Sequence, residues 1–220
     1  MLRNVLNIHE AAGLQEAELA LTALRAASLA LGPANMGLPW LCAIHHSLFQ
    51  DIYPWAGQLR SVDIYQNDIR FCHFAYLETE GNAVMQRLEE EDYLRDLPFE
   101  PFCDQLAVFY VDINMLHPFR EGNGRAQRIF FEQLIIHAGY DIHWHPLDQQ
   151  DWLRANQAGA FGDSAPITRY RGRGRRPVFS SLYPGQCGNG RSHVAAVVIH
   201  SLLIKVRRQS ARNDVAAKAQ

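Results

Sequence analysis

His117-Pro118-Phe119-Arg120-Glu121-Gly122-Asn123-Gly124-Arg125, with Arg128 three residues further on, puts several kinds of chemistry in one short stretch. It offers a proton acceptor, a carboxylate, a Gly-Asn-Gly turn and three guanidinium groups. His117 has an imidazole whose ordinary pKa, near 6.5, suits a general base at neutral pH. Gly122 and Gly124 let the backbone approach an anion, because no Cβ stands in the way. Arg125 and Arg128, three apart on a helix, share a face and could clamp phosphate oxygens. Glu121 would repel a bare phosphate among these groups. It makes sense if Mg²⁺ lies between them, since Mg²⁺ is usually held by one or two carboxylates together with substrate phosphates. The combination points to phosphate-transfer chemistry.

The flanking residues must hold that stretch in place. Before it, Gln105 to Leu116 carries Leu106, Phe109, Ile113 and Leu116 at helical spacing. After it, Ala126 to Ala138 carries Ile129, Phe130, Leu134 and Ile135 on one face, with Gln133 at its edge. The pattern predicts helix, tight loop, helix, with Pro118 ending the first helix. Backbone N–H groups at the start of the second helix have no partner within it, and the helix dipole is positive there. Such an end suits a phosphate chain. A plain helical hairpin could use Gly and Asn in its turn, but it would not call for nine defined positions in this order.

Those positions resemble the signature of the Fic (filamentation induced by cAMP) domain, His-Pro-Phe-x-Asp/Glu-Gly-Asn-Gly-Arg-x-x-Arg, matched from His117 to Arg128. About sixty residues upstream, Leu48 to Arg60 (LFQDIYPWAGQLR) is similar to the segment that precedes the flap in Fic proteins. The resemblance covers roughly residues 5 to 165. It implies an all-α fold: a Fic-type helical bundle with a small β-hairpin flap over the active-site loop.

The rest of the chain agrees with a mostly helical domain. Leu14 to Leu31 predicts a helix ending before Gly32-Pro33, and Pro39 to Phe49 a second. Arg60 to Phe71 changes period: Val62, Ile64, Ile69 and Phe71 alternate with polar positions around a turn at Gln66-Asn67-Asp68, which predicts a hairpin. Phe74 to Leu97 predicts a helix with a wet acidic side at Glu89 to Asp92, stopped by Pro98 and Pro101. Tyr140 to Trp144 predicts a short extended link, and Asp148 to Ala160 another helix. His45-His46 and His143-x-His145 have the look of metal pairs but lack further ligands at zinc spacing, so a structural or surface role is expected of them.

Composition bounds the rest. The chain has 220 residues, 48% of them hydrophobic, and a formal charge of −2 that gives no overall pull toward nucleic acid. The average conceals a split, with 11 Lys/Arg against one acid from Ala165 onward and 10 against 22 before it. The expected organisation is a Fic domain over 1–164 and a basic tail over 165–220. Arg169 to Pro177 is basic and breaker-rich and so expected to be disordered. Val194 to Val206 is apolar, short and flanked by basic residues. It could lie on a membrane or nucleic acid, or be a nonessential tail, or encode no selected fold, as after a shifted reading frame. Cys42, Cys72, Cys103 and Cys187 show no metal or redox spacing. With no signal segment and no run of about 18 apolar residues, a cytoplasmic protein with reduced thiols is expected.

What the resemblance implies is specific. It implies AMP transfer from Mg²⁺–ATP to a Ser, Thr or Tyr hydroxyl of a target protein. His117 is the base and Glu121 the Mg²⁺ ligand; Arg120, Glu121, Gly122, Asn123, Gly124, Arg125 and Arg128 form the ATP-binding set. It implies a flap, with Asn67, Asp68, Ile69 and Phe71, that docks the target's backbone as an added strand. Asn156 and Gln157 fall where Fic domains contact the adenine side. Fic relatives are often silenced by Ser/Thr-x-x-x-Glu-Gly/Asn. Here Glu-Gly occurs at Glu80-Gly81 and Glu121-Gly122, preceded at four residues by Tyr76 and His117, so the resemblance implies a separate small antitoxin. Toxins of this group act on type II topoisomerase subunits, DNA gyrase and topoisomerase IV. Transfer of UMP, phosphocholine or phosphate stays open, although the phosphate-transferring branch usually has a bulkier residue where this chain has Gly124. So do a nucleotide-dependent binding module and a function of the basic tail.

Overall fold

The computed structural model describes residues 1–66, 69–141 and 207–208. The expected helix at 148–160, the His143/His145 pair, Asn156, Gln157, Cys187 and the readings made on 165–220 fall outside those residues, apart from the backbone of 207–208. So do Asn67 and Asp68 at the hairpin tip.

Five helices make the body: α1 (Ala11–Ser28), α2 (Leu38–Phe49), α3 (Leu77–Glu90), α4 (Phe99–Leu116) and α5 (Asn123–His137). Strand β1 (Tyr65–Gln66) pairs antiparallel with β2 (Ile69–Arg70), Tyr65 opposite Arg70 and Gln66 opposite Ile69. A second short pair joins β3 (Tyr140–Asp141) to β4 (Arg207–Arg208). The bundle with a small hairpin is the architecture expected from the sequence.

The core gathers on α4. Ten of its 18 residues are buried, and its exposed residues, Glu100, Pro101 and Asp104, lie in its first two turns. Phe102, Leu106, Phe109, Ile113 and Leu116 meet Phe130, Phe131 and Leu134 of α5 and Val84 and Leu88 of α3 in one apolar cluster. Burying aromatic and branched side chains on that scale is the main favourable term in folding. Gly81 lets α3 come close to Leu38 and Leu116: an added Cβ would stand 2.9 Å from Leu38 Cδ2. The polar edge of α5 is also inside. Gln133 accepts from Trp40 Nε1–H (2.8 Å) and Gly32 N–H (3.2 Å) and donates to Ala30 O (3.0 Å), fixing the α1–α2 connection.

Two expectations need correction. The helix expected over Phe74 to Leu97 is three pieces: a 3₁₀ turn at Phe74–Tyr76, α3, and a turn at Asp92–Leu94 with positive φ at all three residues. Burial of Tyr93 and Leu94 requires the chain to leave the helix before the prolines arrive. The hairpin is also shorter than its alternating pattern. Val62 and Ile64 lie outside β1 because the carbonyl of Val62 accepts from Arg60 Nη1–H (2.6 Å) and Asp63 accepts from the Phe74 N–H (3.0 Å). Ile64 keeps one long bond across the hairpin, its carbonyl accepting from Phe71 N–H at 3.4 Å.

Asp112 is the one carboxylate within the buried face of α4. It pairs with Arg87 of α3, whose guanidinium lies 4.8 Å from the Phe109 ring centroid. Removing one partner of a buried pair leaves an uncompensated charge. Arg87→Ala is therefore expected to lower unfolding free energy by about 3 kcal/mol in urea titration, while ATP affinity of the folded fraction is unchanged.

Candidate active site

The loop between α4 and α5 is closed by its own groups. Phe119 N–H donates to Asn123 Oδ1 and Asn123 Nδ2–H donates to Phe119 O, both at 2.8 Å. This reciprocal pair uses Oδ1 and one Nδ2–H of Asn123 to close the loop, while its backbone N–H stands at the start of α5. Gly122 caps α5 at φ 78°, a left-handed conformation that favours glycine. A Cβ there would lie 2.2 Å from the Phe49 ring. Over Gly124, by contrast, nothing stands within 4 Å, so the start of α5 opens outward.

His45, which the sequence left as a structural or surface residue, holds this loop from below. It is fully buried, stacked between Phe49 (4.6 Å) and Phe119 (3.8 Å). Its Nδ1 accepts from the Gly57 N–H, so Nε2 must carry the proton it donates to Glu121 O, both at 2.9 Å. The tautomer is fixed because a backbone N–H can only donate. Gly57, at φ 81°, reaches His45 because a Cβ there would sit 2.8 Å from His46 Cβ.

His117 ends α4 in the left-handed region (φ 46°, ψ 60°), which costs a non-glycine residue about 1–2 kcal/mol. Its ring lies flat on Phe71 of the flap, centroids 3.8 Å apart. Nδ1 lies 3.4 Å from Asn114 O, at the long end for a hydrogen bond. Burial, with a smaller contribution from the Arg60 charge, brings its pKa down to about 4, against the opposing pull of the Asn114 carbonyl. At neutral pH the ring is therefore uncharged and able to accept a proton.

The charged groups divide into two sets. Arg120, Glu121 and Arg128 are exposed around the mouth of the loop. Arg125 is held inward: Nη2 is 2.5 Å from Glu18 and 3.5 Å from Glu121, Nη1 is 3.4 Å from Thr22, and the guanidinium lies 4.7 Å from the Phe49 ring centroid. Glu18 also accepts from Tyr53 Oη–H. The Arg125 half of the clamp expected with Arg128 thus has its charge already compensated by α1. Glu121 accepts from Gly122 N–H at 2.9 Å and is half exposed. As one oxygen donor beside open backbone amides, it fits Mg²⁺, which takes few protein ligands and completes its shell with phosphates and water.

On the flap side, the structure brings Phe71 onto His117 and buries Ile69 with it. Sequence reasoning missed Glu18, His45, Phe49, Gly57 and Arg60 as supports of the site. Gly57 and Arg60 stood in the matched upstream segment, which was the available signal. Glu18 and His45 had none, since their partners lie 107 and 76 residues away.

Protonating His45 would set two donors face to face at Gly57, and burial lowers its pKa to about 4. For His45 and His117 alike the unfolded chain takes up protons first as pH falls below about 6.5, so stability drops between there and pH 4. Urea midpoints measured across that range should fall with pH, and less steeply in His45→Gln. Glu18→Ala and Arg125→Ala should each lower stability, by about 1–3 kcal/mol. Arg128→Ala should weaken ATP binding more than Arg125→Ala does, as isothermal titration would report.

The arrangement has recognised relatives. The Fic/DOC family pattern matches residues 36–135. A protein of Salmonella typhimurium named probable protein adenylyltransferase Fic is 60% identical over 167 residues, 76% of this chain and 84% of the relative. Its Escherichia coli K12 namesake is 58% identical over 163 residues, 74% and 82% of the two chains. Among solved structures, the BepC effector of Bartonella tribocorum with bound AMPPNP superposes with a TM-score of 0.73 at 20% identity, covering 96% of this chain and 94% of that one, and so shares the fold. With a closed His117-to-Arg128 loop on a Fic-type bundle, and relatives of this identity over most of their length, the chain belongs to the Fic/DOC family.

Proposed function

We propose that the chain is a protein adenylyltransferase, moving AMP from ATP to a hydroxyl side chain of a target protein. The observation that carries the reading is a neutral, half-buried His117 beside a helix N-terminus that opens outward at Gly124. The name shared by the relatives at 58–60% identity supports it.

In this mechanism the amides at the start of α5 and the Arg128 guanidinium bind the phosphates, with Arg120 at the mouth and Arg125 adding what charge Glu18 leaves it. Glu121 would hold Mg²⁺, which when bound neutralises phosphate charge and orients the chain of phosphates. The target's backbone lies along the flap at Ile69 and Phe71, as an added strand would. Its hydroxyl proton goes to the free nitrogen of His117 while the oxygen attacks the α-phosphorus, and pyrophosphate leaves in line. Positioning and charge compensation supply most of the acceleration. The domain boundary near residue 164, a target among type II topoisomerase subunits and a separate small inhibitory protein belong to this same reading. Among the described residues no helix is long and apolar enough to cross a membrane.

The test is transfer of label from ATP carrying it at the α-phosphate to proteins of a bacterial lysate. His117→Ala should lower the rate by about 10²-fold or more with ATP affinity retained. An unchanged rate would remove His117 from the role of base. In the wild type, the rate should stay level from pH 8 to about 5 and decline only as pH approaches the lowered pKa of His117, about 4. A decline centred near 6.5 would mean an imidazole exposed to water during catalysis.

A further inference from the structure

Arg60 is a fully buried cation whose donors reach several backbone carbonyls. Its guanidinium is 0% exposed and makes a long ion pair with Asp63, at 3.9 Å. Burying a guanidinium is costly unless its donors are used. They are used on backbone carbonyls. Nε donates to His117 O (2.8 Å) and Nη2 to Leu116 O (3.3 Å), at the negative end of α4. Nη1 donates to Val62 O (2.6 Å) and Nη2 also to Cys72 O. The backbone N–H of Arg60 adds a bond to Pro118 O at 2.9 Å.

These partners form two groups. Leu116, His117 and Pro118 are the three residues around the left-handed turn that ends α4. Val62 and Cys72 are the two stems of the flap, one on each side of β1 and β2. A planar guanidinium with a fixed fork of donors ties all of them to one point. A second tie, Cys72 N–H to Met115 O at 3.0 Å, and the stack of Phe71 on His117 run in parallel.

We propose that Arg60 is a positioning residue for His117, locking the flap stems and the backbone of His117 into one unit so that a strand laid on the flap arrives in register with the imidazole. The role in transfer rests on the adenylyltransferase reading; the locking does not. Arg60 touches neither nucleotide nor hydroxyl in this scheme. Its loss is expected to misplace the acceptor relative to the base, and a displacement of about 1 Å can cost about 10²-fold in rate. Lysine is no substitute, because its three donors radiate from a single atom and cannot span carbonyls on both sides.

The experiment compares the full chain with Arg60→Lys and Arg60→Gln by three measurements. These are label transfer from α-labelled ATP to lysate proteins, ATP affinity by isothermal titration, and amide hydrogen exchange by segment. The expected result is a fall in transfer of about 10²-fold in both variants with ATP affinity within about twofold. Exchange should quicken at Ile69 to Cys72 and around His117, while α5 beyond its first turn keeps its protection. Unchanged exchange in the flap would overturn the proposal, as would full transfer activity in Arg60→Gln. Equal loss of protection throughout α5 and of ATP binding would also overturn it, by showing general support of the fold. Should the wild type label nothing, the adenylyltransferase reading fails, and the exchange comparison still decides whether Arg60 locks the flap to His117.

Discussion

Gly122 lies where its missing side chain would strike the ring of Phe49, and the active-site end of the bundle is arranged around that contact. It sets how deeply the loop sinks before α5 begins. Phe49 in turn stacks on His45, which stacks on Phe119, so α2 supplies the floor on which the loop rests. His45 adds direction to this packing. Its two nitrogens join Gly57 to Glu121 with one donated and one accepted bond, which a charged imidazole could not do. A neutral aromatic platform below thus frees the amides above to meet a ligand.

Charge at the site is distributed by the same geometry. Three arginines come near the loop or its flanks with their partners already chosen. Arg60 spends its donors on carbonyls, Arg125 on Glu18, and Arg87, further back, on Asp112. Each is a positive group used to join segments distant in sequence. Arg120 and Arg128 sit at the exposed rim and are the cations a phosphate chain would meet first. A count of arginines near the motif would overstate the charge offered to a nucleotide.

The sequence carried the helices and the loop well, because both are local. Apolar spacing around Leu106 to Leu116 and Phe130 to Ile135, with Pro118 and the glycines between them, needed no distant partner to be read. Chemistry assigned by residue type fared less evenly. Asn123 also closes the loop on Phe119, a bond four residues away that spacing alone did not distinguish. Arg125 looked free until α1, more than one hundred residues earlier, placed Glu18 beside it. Asp92 to Leu94 left the helical path because Tyr93 and Leu94 are drawn into the core, a tertiary demand that overrides propensity. Supports such as His45 and Arg60 are ordinary residues made important by what the fold sets against them.

The brevity of the flap limits what it can read. β1 and β2 contribute two residues each, so a guest strand laid along either edge would gain only two or so backbone hydrogen bonds there. At about 1 kcal/mol net apiece, these fall well short of the roughly 4–15 kcal/mol lost when two bodies associate. The edge can align a guest but cannot recruit one. On the adenylyltransferase reading proposed above, selectivity among acceptors would then come from surfaces outside the hairpin, with the flap as a ruler that fixes which residue of an already captured chain faces the imidazole. A short edge also gives little grip to another copy of itself, which keeps an exposed hairpin from seeding aggregation.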